Sequence, residues 1–367
     1  MVLMAATFFL IGCDDPYEGD GDLTETDMLT TTTTSGSSDD NGILTVEVDV
    51  TDGVDSFLIT TVTDWWIAME ALYDPDGNLV LWWEDWYESE YSLTNAFFIE
   101  SGDSELNWPI REDDGPLQTG TWVAEFAITD NDTNYVGSFP ADITVQTKDD
   151  PNLNDGIIRA RIVYASGVQR DDEATAGTEA GVERWREIWA TEGLELQVDY
   201  ASGDINANLP WPDGLTSDIA DESANFWDSD VTVIIGEEID GSQDYYGVSG
   251  GIPGTLIAGP RSAVVLSWLA NAGGDGTFDD EDIRLYGETL AHEVGHYMGL
   301  YHPVEDGWEY WDALGDTVEC SNTEDCEGQL GDNLMFPYPV CTFTECVPAD
   351  QISADQAGAS HRYTGAL

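Results

Sequence analysis

The amino-acid sequence predicts two folded domains of different class, an all-β sandwich followed by an α+β domain. Between residues 43 and 148, short stretches of alternating apolar and polar residues are separated by turn signals such as Asp74 to Asn78. From residue 157 onward, strand-like runs alternate with a helix-like pattern, which indicates a sheet covered by helices. The 367 residues are enough for two domains, each with its own core.

The charge of the chain is its most unusual bulk property. Seventy-four acidic residues stand against ten basic ones, which gives a formal net charge of −64. A surface of that sign repels nucleic acids and anionic lipid headgroups, so both are excluded as partners. It suits a protein that stays soluble in salty or extracellular water. A hydrophobic content of 41% and fourteen tryptophans exclude wholesale disorder.

Residues 1–13 have the features of an export leader. The stretch from Met1 to Gly12 is apolar but too short to span a bilayer, as in the hydrophobic part of a signal peptide. It ends in Leu-Ile-Gly-Cys, which resembles the processing box of bacterial lipoproteins. That resemblance implies a cell-envelope protein with a lipid on Cys13 as its sole contact with the membrane. A plain secretory signal, which would make the protein extracellular, is the alternative.

Residues 14–42 are predicted to be a disordered acidic tether. They contain a run of five threonines, Thr30 to Thr34, followed by a segment rich in serine and aspartate, and they lack apolar side chains for a core. Such a spacer would hold the folded part of the chain clear of a membrane. A second polar run, from Lys148 to Asp155, marks the boundary between the sandwich and the α+β domain of residues 155–367.

Within residues 155–367 the apolar pattern predicts a sheet and two helices. The helix from Thr178 to Thr191 places its large apolar residues on one face, and a second helix is predicted from Asp280 to Gly299 because acidic residues favour its start. Arg261 to Trp268 is predicted to be an edge strand, with an internal strand as the alternative. The other predicted strands are Ile157 to Ala165, Leu194 to Tyr200 and Val231 to Ile235.

Three of the four histidines lie within the eleven residues from His292 to His302. His292 and His296 are four residues apart, so on a helix both imidazoles project from the same face and can reach one Zn²⁺. Gly299 permits the left-handed conformation that ends a helix, and the turn would bring His302 back as a third ligand. Three ligands leave a tetrahedral zinc one open position, and Glu293 is placed to polarise a water bound there.

The spacing His-Glu-x-x-His-x-x-Gly-x-x-His resembles the zinc signature of the metzincin metallopeptidases. The resemblance implies an α+β metzincin catalytic domain, with a mixed twisted sheet above the active-site helix and the sandwich as an accessory domain. Met335 follows about thirty residues after His302, where this superfamily has its Met-turn. In relatives that methionine packs beneath the zinc ligands as an apolar floor. A lone methionine is otherwise ordinary core filler.

Within the superfamily the chain most resembles the pappalysins. The shared features are the Tyr301-His302 end of the signature, the segment Gly315-Asp316-Thr317, the Asn333-Leu334-Met335 turn and Ala354-Asp355-Gln356 at the start of the last helix. Relatives often have a tyrosine two residues after the methionine, where this chain has Pro337. Tyr338 is the nearest phenol, either as support for an oxyanion or as a buried core side chain.

Beyond Cys13 the cysteines form an even set of four, which in an exported protein favours two disulfides. They are Cys320, Cys326, Cys341 and Cys346. Four cysteines allow three pairings, and the sequence does not choose between them. Bridges here would staple the loop between His302 and Met335. A second zinc site is the competing interpretation, but the spacings are poor for it and no histidine is nearby.

Three further features have both a functional and a structural interpretation. The acidic loops Asp74 to Asn78 and Asp275 to Asp282 are candidate Ca²⁺ sites, although neither has complete calcium-loop spacing and the first equally fits a hairpin turn. Trp86, with the tryptophan pairs before it, would form a platform for a carbohydrate or peptide, or else pack into the sandwich. His361, beside Arg362, is expected to be a surface group.

Together these residues predict a zinc-dependent endopeptidase that acts on a protein or peptide substrate. A zinc-activated water would hydrolyse the peptide bond with Glu293 as general base, and no covalent intermediate is needed. The alternative is a non-catalytic, zinc-containing surface adhesin or binding lipoprotein. Glu293 argues against that alternative, because a structural zinc site gains nothing from a general base.

Overall fold

The computed structural model describes residues 28–87, 89–98, 102–130, 132–150, 152–212, 217–225, 229–305, 307–342 and 345–367. The predicted leader, Cys13 and the tether up to residue 27 lie outside these ranges. Within them, no helix is long and apolar enough to cross a lipid bilayer. The described chain has two parts, which we call the N-terminal sheet pair (residues 29–148) and the C-terminal α/β unit (residues 156–367).

The N-terminal sheet pair is built around two four-stranded antiparallel sheets, to which all of its strands except β6 belong. Its described strands are β1 Leu29–Ser37, β2 Ile43–Val50, β3 Ser56–Val62, β4 Trp66–Tyr73, β5 Leu79–Trp82, β6 Tyr91–Ser92, β7 Asp103–Trp108, β8 Gly120–Thr129 and β9 Pro140–Lys148. Helix α1 Trp83–Tyr87 and 3₁₀ turns at Asn95–Phe97 and Glu112–Asp114 connect them. One sheet has the strand order β1-β9-β3-β7 and the other β2-β8-β4-β5.

Alternation of apolar and polar residues explains why the two sheets pack against each other. In β2 every second side chain points inward, and the buried set is Leu44, Val46, Val48 and Val50. These side chains join Phe57 and Ile59 of β3 in one apolar cluster that draws on both sheets. Burial of one face of each sheet is therefore the main contribution to the stability of this part.

The predicted disorder is wrong for residues 29–37. Here the threonine run forms β1, which pairs antiparallel with β9 from Leu29–Lys148 to Ser37–Pro140. Its side chains are almost all exposed, so β1 adds little apolar burial. β-Branched threonine favours an extended backbone, and β9 offers N–H and C=O groups along its edge. Backbone hydrogen bonds therefore order a segment whose low hydrophobicity predicts disorder.

The C-terminal α/β unit is built around a five-stranded mixed sheet. The described strands of the whole unit are β10 Gly156–Tyr164, β11 Leu194–Ser202, β12 Asn208–Leu209, β13 Val231–Gly236, β14 Glu238–Ile239, β15 Gly247–Ser249, β16 Ala263–Ser267 and β17 Trp311–Asp312. Its helices are α2 Asp172–Ala190, α3 Ser217–Ser223, α4 Trp268–Asn271, α5 Asp280–Tyr297, α6 Thr323–Leu330 and α7 Ala354–Arg362, with a 3₁₀ turn at Val168–Arg170. In the order β11-β10-β13-β16-β15, only β15 runs antiparallel to its neighbour.

The elements predicted before the histidine motif are confirmed, except for one position. The predicted edge strand, Arg261 to Trp268, is wrong: β16 lies inside the sheet, between β13 and β15, and all five of its side chains are buried. A strand that is apolar on both faces belongs in a sheet interior, where both faces are covered. The sheet edge next to β16 is β15, which is three residues long and begins with Gly247, so its sequence carries no strand pattern.

Helix α5, which carries His292 and His296, packs closely against α2. A Cβ atom at Gly181 would lie 3.3 Å from Cδ1 of Leu290, so glycine lets the two helices approach. Trp189 donates its indole N–H to the carbonyl of Ala291 at 3.3 Å. Close packing with a hydrogen bond across the contact fixes the position of α5.

The only lysine of the chain joins the sheet pair to the α/β unit. Lys148, the last residue of β9, is fully buried, and its ammonium group donates to the carbonyls of His361, Tyr363 and Ala366. These carbonyls lie at and just beyond the end of α7, where a helix leaves carbonyls without partners and favours positive charge. Asp150 lies 3.5 Å from the ammonium group and balances its charge. Lys148 therefore caps the last helix from across the contact.

Other buried polar groups extend this contact. Asn107 of β7 accepts two hydrogen bonds of 2.8 Å from the N–H and hydroxyl of Thr364. His361 is only 5% exposed and shares a hydrogen bond of 2.8 Å with the carbonyl of Glu192. The prediction that His361 is a surface group is therefore wrong, because α7 packs between β9 and the end of α2.

The contact also holds an acidic pair. Asp103 and Glu105, at alternate positions of β7, are at most 1% exposed and lie 3.7 and 3.9 Å from the guanidinium of Arg261. Burial and the neighbouring Asp103 raise the pKa of Glu105 well above its usual range, and Arg261 opposes the shift. Thr60 and Thr255 share a hydrogen bond of 2.8 Å beside them. Charged and hydrogen-bonded side chains therefore join the sheet pair to the α/β unit at this contact.

We expect Lys148→Met to lower the free energy of unfolding by about 3 kcal/mol or more, because it leaves buried carbonyls without their charged donor. Urea denaturation followed by tryptophan fluorescence measures this. The neighbouring exposed variant Asp149→Asn is the matched control and should unfold at the wild-type urea concentration. Equal midpoints for Lys148→Met and the wild type would show that the lysine does not support the contact.

Candidate metal centre

After α5 the chain turns sharply and runs back alongside the last turn of the helix. The helix ends at Tyr297, and Gly299 has a φ of 100°, so the left-handed turn predicted there is confirmed. The N–H groups of Gly299 and Leu300 donate to carbonyls of the last helical turn at 2.8 and 3.0 Å. These two bonds form a Schellman motif, which reverses the chain and leads it to His302.

The three histidines of the motif converge on one point. Nε2 of His302 lies 3.1 Å from Nε2 of His296 and 3.3 Å from Nε2 of His292. The facing nitrogens of all three lie within 4.8 Å of one another, and they form the only such group of three or more His, Cys, Asp or Glu ligand atoms among the described residues. The sequence spacing alone predicts this convergence.

The other nitrogen of each ring, Nδ1, is held by an acceptor. The pairs are His292 with the carbonyl of Leu334 at 2.7 Å, His296 with the carbonyl of Leu300 at 2.6 Å, and His302 with the carboxylate of Glu305 at 2.8 Å. A carbonyl or ionised carboxylate only accepts, so each Nδ1 carries the ring proton. All three Nε2 atoms therefore present lone pairs to the same point, an arrangement that a cation stabilises.

The electrostatic state of the rings suits a metal ligand. Burial, and then the nearby His302, lower the pKa of His292 to about 3. Burial also lowers the pKa of His296 well below its usual value. These imidazoles are therefore neutral at neutral pH, which is the form that binds a metal ion.

The spacing of the nitrogens fits Zn²⁺. Zinc–nitrogen bonds of about 2.0 Å in a tetrahedron put neighbouring ligand nitrogens about 3.3 Å apart. The two Nε2 distances, 3.1 and 3.3 Å, agree with that value. Three imidazole ligands with no thiolate or further carboxylate in the group are also typical of catalytic rather than structural zinc sites. The residues present therefore fit a zinc ion that keeps an open position.

Glu293 lies beside the histidines and against the edge strand β15. It is 8% exposed and lines the cleft described below. Burial raises its pKa to about 8, while a hydrogen bond with the backbone of Ser249 acts in the opposite direction. A Cβ atom at Gly247 would lie 2.7 Å from Cγ of Glu293. The glycine thus leaves room for the carboxylate between α5 and β15.

Met335 packs directly beneath α5. A Cβ atom at Gly295 would lie 2.6 Å from Sδ of Met335, so the glycine between the first two histidines accommodates the sulfur. The backbone N–H of Met335 donates to Asn333 at 2.9 Å, and the Asn333 side chain bonds that of Gln356 on α7 at 2.9 and 3.2 Å. The position predicted for a methionine floor is thus occupied by Met335, which is fully buried.

A cleft of about 310 Å³ opens over the site. Its lining includes His292 and Glu293 from α5 and Tyr245 and Tyr246 from the segment before β15. Tyr338 lines it from the other side. The cleft therefore runs between the sheet edge and the segment after Met335.

Tyr338 also has the features of a packed side chain. Its ring centroid lies 5.1 Å from that of Phe336 and 6.3 Å from that of Trp308, and its hydroxyl donates to Glu327 at 3.3 Å. The support of an oxyanion by Tyr338 stays a prediction. Pro337, at the position where relatives often have tyrosine, lines the same wall of the cleft.

The four cysteines form two local disulfides, Cys320–Cys326 and Cys341–Cys346. The first closes a loop before Met335 and the second a loop after it, so the expectation of two disulfides is confirmed. Only the first lies in the loop between His302 and Met335. The second is tied to α5, because the N–H of Cys346 donates to Glu281 at 2.7 Å.

The two candidate calcium loops use their carboxylates for local structure. Asp74 accepts hydrogen bonds from Asp76 and Asn78 in the turn between β4 and β5, which is the hairpin alternative. Asp279 caps the start of α5 in a capping box with Asp282. The structure gives no support to a calcium ion in either loop.

Sequence reasoning missed Glu305 and the edge strand beside Glu293. Glu305 is one of 74 acidic residues, and only its position three residues after His302 could have singled it out. Gly247 and Ser249 belong to a strand too short to show a pattern. Cys13 lies outside the described residues.

No family model and no curated protein matches this chain. Among solved structures it is similar to archaemetzincin from Methanopyrus kandleri, with 12% identity and a TM-score of 0.28 over 56% of this chain and 88% of that one. It is also similar to metalloproteinase-II from Bacteroides fragilis, with 10% identity and a TM-score of 0.27 over 51% of this chain and 60% of that one. Scores this low do not establish a shared fold, so the interpretation of the site rests on its own geometry.

We expect Glu305→Ala to weaken zinc binding about 10- to 100-fold, because Nδ1 of His302 loses the acceptor that orients its ring. Competition with a chelator of known zinc affinity measures the change. Glu309→Ala, an exposed acid in the same loop, removes the same charge and should leave the affinity unchanged. If both variants weaken binding equally, the loop acts only through its net charge.

Proposed function

We propose that the chain is a zinc-dependent endopeptidase with Glu293 as its general base. The observation that carries the proposal is the convergence of three imidazoles beside the buried side chain of Glu293 in the wall of a cleft. His292, His296 and His302 would hold the ion. When bound, zinc would act as a Lewis acid on the scissile carbonyl and the attacking water.

The residues of the chain supply the other parts of the reaction. Glu293 acts in its ionised form, which the positive charge of a bound zinc ion would favour over the buried acid. It accepts the proton of the attacking water and passes it to the leaving amine. Its contact with Gly247 and Ser249 fixes the carboxylate, so little reorganisation is needed during the transfer. Burial around the carboxylate limits competing solvent.

The edge strand β15 is the element that would align the substrate. β15 ends the five-stranded sheet, so one of its sides pairs with no further strand among the described residues, and Gly247 lines the cleft. An extended peptide can pair with such an edge by β-augmentation. The sheet edge predicted at Arg261 to Trp268 is instead provided by Gly247–Ser249, so we assign substrate alignment to β15.

We also propose that the chain is a metzincin of the pappalysin branch. Met335 beneath α5 and the turn at Gly299 support the superfamily. The two pappalysin-like segments also meet, because Asp316 accepts hydrogen bonds from the Ser353 hydroxyl at 2.7 Å and from the Asp355 N–H at 2.9 Å. These bonds join the loop before Met335 to the start of α7.

We propose that the protein is exported. Two disulfides are typical of an oxidising compartment, and the acidic surface suits extracellular water. A lipid on Cys13 would tether it to the cell envelope. Mass spectrometry of the mature N-terminus distinguishes a lipidated Cys13 from a secreted, unmodified chain.

We expect Glu293→Gln to abolish peptide cleavage while zinc content stays near one per chain, because the amide cannot accept the proton but leaves the ligands in place. Casein hydrolysis, with and without a chelator, and metal analysis of the same sample measure both quantities. Cleavage that survives the substitution would refute the role of Glu293. A wild-type protein that holds zinc but cleaves nothing would favour the adhesin alternative.

We expect Gly247→Ala to lower kcat about 100-fold with zinc content unchanged, because the added methyl group displaces Glu293 from its position. Gly328→Ala is the matched control, since a Cβ atom there meets no atom within 4 Å. Steady-state kinetics on one peptide compare the two variants. A wild-type kcat for Gly247→Ala would mean that β15 does not position the base.

A further inference from the structure

A second cavity, of about 520 Å³, lies where the sheet pair meets the loop after His302. The sheet pair contributes Trp86, Tyr91 and Phe98, and the α/β unit contributes Tyr301, Glu305 and Tyr310. The volume is in the range of cavities that bind small ligands or large side chains. Among the described residues, none lines both this cavity and the cleft over the histidines.

The cavity is nevertheless joined to the metal centre through the third histidine. Tyr301 and Glu305 lie on either side of His302 in the chain, and Glu305 accepts the hydrogen bond from Nδ1 of that residue. The loop is fixed to the sheet pair, because β17 pairs with β6 from Tyr91–Trp311 onward. His292 thus lines the cleft, whereas the cavity is lined by Tyr301 and Glu305, which lie next to His302 in the same loop.

The lining of the cavity combines exposed aromatic rings with carboxylates. Three of its aromatic rings are exposed, Tyr91 by 37%, Phe98 by 45% and Tyr310 by 52%. Two carboxylates lie among them or at the rim: Glu305 is in the lining, and Glu319 accepts a hydrogen bond of 2.6 Å from the Tyr91 hydroxyl. Aromatic faces combined with negative charge favour an organic cation.

The same wall already accepts one guanidinium. The guanidinium carbon of Arg111 lies 5.2 Å from the ring centroid of Trp86, which also lines the cavity. Arg111 forms an ion pair with Asp114 at 2.7 Å, so this arginine is committed to its own strand connection. The remaining aromatic rings and Glu305 offer the same combination of an aromatic face and a carboxylate. Among the described lining residues there is no arginine of this chain to occupy it.

We propose that this cavity is a subsite for a basic side chain, best an arginine, of the peptide substrate, at a position distant from the cleaved bond. The proposal rests on the proposed function. The guanidinium stacks on the aromatic rings and pairs with Glu305. Binding there holds the substrate close to the third zinc ligand and adds the sheet pair to the recognition surface.

The composition of the chain agrees with this preference. At least eight of its ten basic residues form ion pairs within the described chain. Its only lysine, Lys148, is fully buried. A second copy of the protein therefore offers few accessible basic side chains to the cavity, which limits self-cleavage.

Peptide series on the full-length protein test the subsite. One arginine is moved along a fluorogenic peptide, and each peptide is compared with its norleucine counterpart. We expect one position to raise kcat/KM about 10- to 30-fold through KM. The double variant Phe98→Ala, Tyr310→Ala should lose that preference while cleaving the norleucine peptides at the wild-type rate. Tyr135→Ala, an aromatic residue 54% exposed on the sheet pair, is the control and should keep it.

A binding measurement separates this subsite from the peptidase activity itself. Calorimetry on the Glu293→Gln protein should show tighter binding of the arginine peptide than of the norleucine peptide, and the difference should vanish when Phe98 and Tyr310 are also replaced. Equal binding of both peptides, or a preference unaffected by the replacements, would overturn the subsite. Absence of any chelator-sensitive cleavage by the wild type would overturn the proposed function alone.

Discussion

Three imidazole lone pairs that face one another within a few ångströms are the constraint on which the rest of the structure depends. Bare nitrogens 3.1 to 3.3 Å apart repel unless a cation lies between them, so each ring must be held from outside. The three acceptors come from three different segments: Leu300 from the turn that ends α5, Glu305 from the loop after His302, and Leu334 from the segment before Met335. The site therefore exists only when all three segments are in place.

These segments are fixed by contacts that begin far away in the sequence. Lys148 holds the end of α7, and Gln356 of the same helix bonds Asn333, which orients Met335 and the Leu334 carbonyl. On the other side, β6 pairs with β17 and thereby fixes the loop that carries Glu305. The sheet pair is thus more than an attached neighbour, because two of the three outer acceptors depend on elements that contact it.

The sequence predicts what is encoded locally and fails where the cause is distant. The α5 helix is predicted within two residues of its end because Gly299 supplies a local stop signal. His292 and His296 share a face because they are about one helical turn apart, and the turn at Gly299 leads the chain back to His302. Strand β1 is missed because its order comes from backbone bonds to β9, about one hundred residues away. Residues 247–249 are missed for the same reason, since only the folded chain brings them to the site. Glu305 is missed although it lies three residues after His302, because it is one of 74 acidic residues.

The acidic composition and the aromatic cavity act over different distances, and this would separate two causes of the proposed preference for basic substrates. The field of a chain with a net charge of −64 attracts any basic peptide, but salt screens it beyond about 10 Å at 0.1 M ionic strength. Such attraction speeds the encounter and does not distinguish one substrate position from another. A guanidinium stacked on Tyr310 and paired with Glu305 would be in contact, largely unscreened, and fixed in register by β15. On the proposed subsite, positional selectivity would therefore come from the cavity, and general attraction would come from the surface charge.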